Sequence, residues 1–164
     1  MKQNDSLGVL RLVVEQGFGN ADMTVIDKVI SDDCVEHQFG MKGGKEGLKK
    51  AIQSLDSAFS SRKYELMNYS VNDDIVWVHY IASGEHTGPF MGHEPTGKKF
   101  SIDVFDRAKV ENGQVVEHWG VPDRFAVLMH VRTAPTFGQV SMGCPPDDDR
   151  VSLDADCRGI ACDR

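Results

Sequence analysis

Apolar residues recur at helical spacing in three segments near the start of the chain. The segments span residues 7–19, 21–30 and 45–59, and their apolar positions fall three or four residues apart. Side chains at that spacing share one face of a helix, so we expect three amphipathic helices. Between the second and third segments, residues 34–39 alternate in the manner of a short strand, with Val35 and His37 on its inner side.

After residue 60 the apolar period changes from that of a helix to that of a strand. Residues 62–71 and 75–86 are expected to be strands, and the second is rich in β-branched and aromatic residues. A loop at 87–99 leads to a hairpin at 101–123, whose turn is marked by Glu111-Asn112-Gly113. Helices that precede strands predict an α+β fold, in which the helices cover one face of a curved antiparallel sheet and enclose a cavity.

The composition of the chain changes near its end. Residues 125–131 are apolar and either extend the last strand or form a short helix. Beyond them the chain turns to Pro, Gly, Asp and Ser, so we predict one domain at 1–132 and a disordered or loosely packed tail at 133–164. Three of the four cysteines lie in this tail, and their spacing fits no familiar zinc site, which indicates free thiols.

The hairpin carries a single carboxylate, Asp106, in the middle of an otherwise apolar face. A two-residue turn sets Asp106 opposite Trp119, whereas a three-residue loop with Gly113 as a bulge sets it opposite His118. The choice decides the site, because a slip of one residue turns every side chain to the other face. We favour the three-residue loop, because it places Glu117 on the charged face of the hairpin.

A carboxylate beside an imidazole in an apolar pocket is suited to proton transfer, because desolvation and a charged partner both shift pKa values. Asp106 and His118 are therefore the candidate catalytic pair. The alternative is that Asp106 only anchors His118 in a polar patch of the core. Candidate substrate-binding residues come from the neighbouring strands and from the tip of the loop: His37, Tyr80, His86, Phe90, Met91 and Trp119.

The overall charge narrows the range of partners. The net charge is −7, and no basic run is present. This balance argues against nucleic acid and against an anionic membrane surface. Neither a transmembrane run nor a signal peptide is found, so cytoplasmic residence is the expectation.

Three segments resemble SnoaL-like polyketide cyclases, a family of the nuclear transport factor 2-like superfamily. GEHTGPFMGHEPTGKK is similar to the family's GTHTGEFMGIPPTGK, and VENGQVVEHWGVPD is similar to its VEDGKIVEHWD. ADMTVIDKVISDDCVEH is similar to its GDLDALDELFADDFVDH. The matches lie in the family's order and span about residues 7–131.

The resemblance implies a cone-shaped α+β barrel and a homo-oligomer, dimer or tetramer, built through the outer sheet face. It also implies that neither a metal nor an organic cofactor is used. In the family's cyclases an aspartate directly after His-Trp is the general base, paired with a residue on the neighbouring strand. Here Gly120 stands at the aspartate position and Asp106 at the neighbouring one, so Asp106 is expected to act as base with His118 as partner or acid.

Three functions follow from these expectations. The first is a cofactor-independent cyclase or isomerase, of lyase or isomerase type, acting on a small apolar carbonyl compound related to polyketides. The second is a hydrolase or dehydratase that uses the same pocket. The third is a small-molecule-binding protein without chemistry, which the glycine at position 120 favours.

Overall fold

The computed structural model describes residues 3–132, and the predicted tail with Cys144, Cys157 and Cys162 lies outside the described residues. Helix α1 (Gln3–Arg11) continues as a π-helical segment (Leu12–Phe18), and α2 (Met23–Val29), α3 (Gly44–Ala58) and α4 (Arg124–Val131) follow along the chain. The strands are β1 (Ile30–Glu36), β2 (Phe59–Asn72), β3 (Ile75–His86), β4 (Lys99–Glu111) and β5 (Gln114–Pro122). The α+β prediction is confirmed, and its three helical and four long strand segments correspond to observed elements.

The segment that the pattern left open, residues 125–131, is helical. Asp123 caps α4, because its carboxylate accepts a hydrogen bond of 2.8 Å from the backbone N–H of Ala126. Val127 and Val131 of α4 are buried, four residues apart on one helix face. The helix therefore closes one end of the sheet's inner face.

The five strands form one sheet in the order β1-β5-β4-β3-β2. β1 pairs with β5 in parallel, and the other neighbours are antiparallel. Alternate residues of β3 and β4 are buried under the helices, among them Tyr80 and Ala108, each 0% exposed. The intervening residues of these strands, such as Trp77 and Phe105, are about half exposed on the outer face.

The predicted three-residue hairpin loop is wrong, but the prediction that Asp106 and His118 share one face of the hairpin is right. Asn112 and Gly113 both have positive φ, 52° and 78°, which is a two-residue type I′ turn. A bulge follows in β5, because Val110 pairs with Val115 while Lys109 pairs with Glu117. The extra residue reverses the alternation, so that His118 comes to the same face as Asp106.

Candidate active site

A cavity of about 510 Å³ opens between α3 and the inner face of the sheet. Its wall is mostly apolar, with contributions from every strand except β1 and from the π-helical segment. Phe90 and Met91, at the tip of the loop after β3, also line it, as expected. Phe90 packs on Phe59 with the ring centroids 4.7 Å apart, so the loop forms part of the cavity wall.

Asp106 and His118 both line this cavity and are both buried. Nε2 of His118 lies 3.7 Å from Oδ1 of Asp106, although the residue directly opposite Asp106 is Gly120. His118 faces Ala108 instead, two residues along the strand. The pair therefore meets diagonally across two strands, which is within reach of long side chains.

Nδ1 of His118, on the side of the ring away from Asp106, contacts the carboxylate of Glu36. The sequence analysis did not select Glu36 as a site residue. Oε2 of Glu36 lies 2.8 Å from Nδ1 of His118, and the Glu36 side chain is only 4% exposed. The Oε1 atom also accepts a hydrogen bond of 2.7 Å from the backbone N–H of Gln38. Glu36 thus fixes the orientation of the imidazole and ties the start of the loop after β1 to it.

The two carboxylates set the protonation state of His118. Burial alone lowers the pKa of the imidazole, but hydrogen bonding and charge attraction from Asp106 and Glu36 outweigh it and raise the pKa well above its ordinary value. His118 is therefore an imidazolium at neutral pH, held between two acidic side chains. Such a group orients its partners and carries a proton that it can donate.

The strand parity expected for residues 34–39 is wrong by one residue. Val35 is 52% exposed, whereas Cys34 is 6% exposed, so Cys34 and Glu36 face inward. His37 therefore lies outside, where it bonds Glu117 at 2.9 Å. The preference of a free cysteine for burial was the signal that favours this parity.

Four of the predicted substrate-binding residues do not line the cavity, so the expectation for them is wrong. His37 and Trp119 stack on each other on the outer face, 4.0 Å apart. Tyr80 is fully buried, and its hydroxyl donates to Glu15 at 3.3 Å. His86 is also fully buried, and its Nδ1 lies 3.1 Å from the hydroxyl of Thr96, which places it at the root of the loop rather than at the cavity.

Tyr64 is a further cavity residue that the sequence interpretation did not select. Burial raises the pKa of its phenol to about 12, with Arg62 opposing and Asp106 adding to the effect. The phenol is therefore neutral at physiological pH and able to donate a hydrogen bond. Between residues 3 and 132, no three His, Cys, Asp or Glu side chains are grouped to hold a metal ion, and independence from cofactors stays a prediction.

This arrangement is accompanied by a family match over most of the chain. The model of the SnoaL-like polyketide cyclases matches residues 9–131. The chain belongs to this family. A relative of this SnoaL-like chain, aklanonic acid methyl ester cyclase DauD from Streptomyces sp. (strain C5), is 23% identical to it over 142 residues. That alignment covers 84% of this chain and 88% of DauD.

Solved structures share the SnoaL-like fold. TsrD from Streptomyces laurentii superposes with a TM-score of 0.72 at 19% identity, covering 79% of this chain and 96% of TsrD. IdmH from Streptomyces antibioticus superposes with a TM-score of 0.67 at 24% identity, covering 79% of this chain and 98% of IdmH. The predicted nuclear transport factor 2-like architecture is confirmed. No helix within residues 3–132 has the length and apolar character needed to cross a membrane.

Gly120 stands where the SnoaL-like cyclases were expected to carry an aspartate, and a neighbouring side chain fills the space. A Cβ atom added at Gly120 would overlap Oε1 of Gln38 and lie 3.0 Å from Oδ1 of Asp106. Gln38 also lines the cavity. The amide of Gln38 therefore lies beside Asp106, in the volume that a side chain at position 120 would need.

Proposed function

We propose that this protein is a cyclase that closes a ring in a polyketide-like carbonyl compound by general acid–base catalysis. The observation that carries the proposal is the buried Asp106 carboxylate at an apolar cavity wall, next to an imidazolium whose other nitrogen is held by Glu36. The family match and the relative named as a cyclase support an enzyme of this type.

In the proposed reaction, Asp106 removes a proton from a carbon next to a carbonyl group. The enolate that forms attacks a second carbonyl carbon of the same molecule, and a carbon–carbon bond closes the ring. The new alkoxide then takes up a proton, which returns Asp106 to its carboxylate form. Atoms and charge balance without any second reactant, so the product is an isomer of the substrate.

Two groups near Asp106 stabilise the developing negative charge in this scheme. His118 carries a positive charge, and Tyr64 presents a neutral phenol at the same cavity. Donors held in a site that excludes water stabilise an enolate more than water does. The apolar wall, including Phe90 and Met91, folds the flexible substrate so that its two reacting carbons meet.

The test is a comparison of the wild-type protein with Asp106→Asn, using aklanonic acid methyl ester, the compound named for the relative DauD. We expect the wild type to form a product of unchanged mass, separated by chromatography, and the variant to be slower by about 10²–10⁴-fold. Glu117→Gln is a matched control, since Glu117 lies on the outer face and should leave the rate unchanged. An Asp106→Asn protein that reacts at the wild-type rate would remove the proposal.

The same experiment separates the rival functions. A hydrolase or dehydratase changes the mass of the product, and a hydrolase incorporates oxygen from ¹⁸O-labelled water, whereas ring closure does neither. A protein that binds the compound and returns it unchanged is the non-catalytic alternative. Either result contradicts a cyclase acting on this compound.

We further propose that two copies of the chain associate through the outer face of the sheet. Trp77, Phe105 and Val121 are 53%, 49% and 65% exposed on β3, β4 and β5, and we call them the outer patch. Contiguous exposed apolar surface of this kind marks protein–protein contacts. On the same face, the guanidinium of Arg107 lies 4.0 Å from the centroid of the Trp119 ring. This cation–π contact fixes both side chains before a second copy binds. Cytoplasmic residence also remains a proposal.

A further inference from the structure

The cavity is lined by more positively than negatively charged residues, whereas the chain as a whole has a net negative charge. The full sequence has 25 acidic residues and 18 Lys or Arg. The residues that line the cavity include four Lys or Arg residues, Lys42, Lys50, Arg62 and Arg124, besides the His118 imidazolium, and a single carboxylate, Asp106. An apolar neutral ligand would not need this excess of positive charge in an acidic protein.

Arg62 is brought to the cavity by a bulge in β2. Ser60 pairs with Glu85 and Lys63 with Ser83, so one extra residue lies between them, and Ser61 has a positive φ of 52°. In a regular strand, Phe59 and Arg62 would point to opposite faces. With the extra residue both line the cavity.

The Arg62 guanidinium is buried with part of its hydrogen-bonding capacity unused. Its side chain is 5% exposed, and Nη2 donates to Oδ1 of Asp56 at 2.5 Å. Nη1 is also buried and has no acceptor within the described part of the chain. A buried donor without an acceptor is costly, and a ligand bound in the cavity that Arg62 lines would supply an acceptor.

The other three cations lie on the helical side of the cavity. Lys50 lines it from α3, and Arg124 lines it from the start of α4, where Nη1 donates to the carbonyl oxygen of Phe39 at 2.7 Å. Within residues 3–132, neither Lys42, Lys50 nor Arg124 has a carboxylate within 4.0 Å. Their positive charges are therefore not neutralised by an ion pair in that part of the chain, although the two lysines are exposed to solvent.

We propose that the ligand of this cavity carries an anionic oxygen group, a carboxylate or an ionised phenol, on an apolar carbon skeleton. This inference rests on the proposed function for the carbonyl chemistry of the ligand and adds its charge. Arginine binds such groups through paired N–H donors, and the attraction is stronger in an apolar cavity than in water. Asp106 repels the anion, so the charged end of the ligand and its reacting carbon are placed apart.

The experiment measures how the full chain binds 1-hydroxy-2-naphthoate and its methyl ester, by isothermal titration calorimetry at low and high salt. The two probes share one ring system and differ in one negative charge. We expect the acid to bind about tenfold more tightly than the ester at low salt, the strength of a charge-assisted contact. This preference should decrease at high salt, because ions screen the cavity charges.

Variants assign the preference to named residues. Arg62→Gln and Lys50→Gln should each reduce the preference for the acid by about threefold to tenfold. Lys50 is exposed, so its variant tests the proposal even if the Arg62 variant folds poorly. Lys28→Gln removes a charge from α2, away from the cavity, and should leave the preference unchanged.

Three outcomes overturn the inference: failure of the acid to bind, equal affinity for both probes, or a preference that both cavity variants retain. The Asp106→Asn protein separates this inference from the proposed reaction. It should keep or increase the preference for the acid while losing turnover. If it keeps turnover, the proposed mechanism fails while the charge of the ligand is still decided by the binding data.

Discussion

At the scale of single residues, the site depends on a buried ion-pair network of three side chains, in which His118 lies between Glu36 and Asp106. An imidazolium between two carboxylates has its positive charge paired on both sides, which is the condition under which a buried charge is tolerated. Glu36 contacts both the His118 ring and the backbone of Gln38. Glu36→Gln removes the charge of this side chain but keeps its shape. The variant therefore tests how much Glu36 contributes to the raised pKa of His118.

We expect Glu36→Gln to lower the pKa of His118 by about 1–3, because one of the two neighbouring carboxylates is lost. The measurement is a pH titration of the His118 ring by NMR. In the wild type the ring should stay protonated at pH 8, since its pKa is raised by Asp106 and Glu36 against the effect of burial. Glu117→Gln, which removes a carboxylate outside the cavity, is the control and should not move it.

The raised pKa of His118 also makes the free energy of unfolding depend on pH. The unfolded chain releases the histidine proton near pH 6.5, and the folded chain releases it at higher pH. The contribution of His118 to the free energy of unfolding is therefore complete below about pH 6.5 and is lost as the pH rises through the folded pKa. Between pH 6 and pH 10, urea unfolding should show a steeper overall loss of the free energy of unfolding in the wild type than in Glu36→Gln. Equal slopes would contradict the assignment.

At the scale of elements, two bulges decide which side chains meet. The bulge in β5 turns His118 to the face of Asp106, and the bulge in β2 turns Arg62 to the cavity. Each inserts one residue into its strand, so the residues that follow it change face, in β2 as far as a second register shift between Leu66 and Asn68. The loop after β1 then packs Gln38 over the bare backbone of Gly120.

We expect Gly120→Ala to destabilise the protein by about 1–3 kcal/mol, because the new methyl group would overlap the Gln38 amide and crowd Asp106. The amide ends a flexible side chain, so the double variant with Gln38→Ala should recover much of the loss. Urea unfolding of the four proteins in a double-mutant cycle measures this coupling.

Gly8→Ala provides the matched control for this cycle. Gly8 lies exposed in α1, and a Cβ atom there would contact nothing within 4 Å. Alanine at a helical position should stabilise the protein by about 0.5–1 kcal/mol. If Gly120→Ala were as harmless as Gly8→Ala, the packing of Gln38 on β5 would not be as described.

At the scale of the whole molecule, the two faces of the sheet differ: one lines the cavity, and we propose that the other binds a second copy of the chain. The helices cover the inner face, and the outer patch of Trp77, Phe105 and Val121 remains exposed in the single chain. An antiparallel sheet whose outer face is polar can remain in water on that side. This outer face carries charged pairs such as His37 with Glu117, but also the exposed apolar outer patch, whose burial favours contact with a second copy.

We expect Trp77→Glu and Phe105→Glu to convert the proposed dimer to a monomer, since each places a charge in the middle of an apolar contact. Sedimentation equilibrium measures the change. Phe125→Glu changes an exposed aromatic residue on α4, outside the outer patch, and should leave the association intact. A wild type that sediments as a monomer at high concentration would rule the proposal out.

The amino-acid pattern predicted the order and kind of every element except residues 125–131, which it left open between strand and helix. Helical and strand periods differ, and Asp106 stood out as one carboxylate on an apolar strand face. The order of helices before strands also predicted the curved sheet and the cavity, and the resemblance to SnoaL-like cyclases added the cone-shaped barrel. These features depend on residues close together in the chain, or on motifs that a sequence displays directly.

The partners of those residues depended on the folded chain. A bulge is one residue whose backbone leaves the strand geometry, and no side-chain pattern in β2 or β5 marks which residue that is. Glu36 reaches His118 across 82 positions of sequence, because β1 pairs in parallel with β5. Local pattern decides what a segment becomes, whereas register and strand order, which sum weak contacts over the whole sheet, decide what it touches.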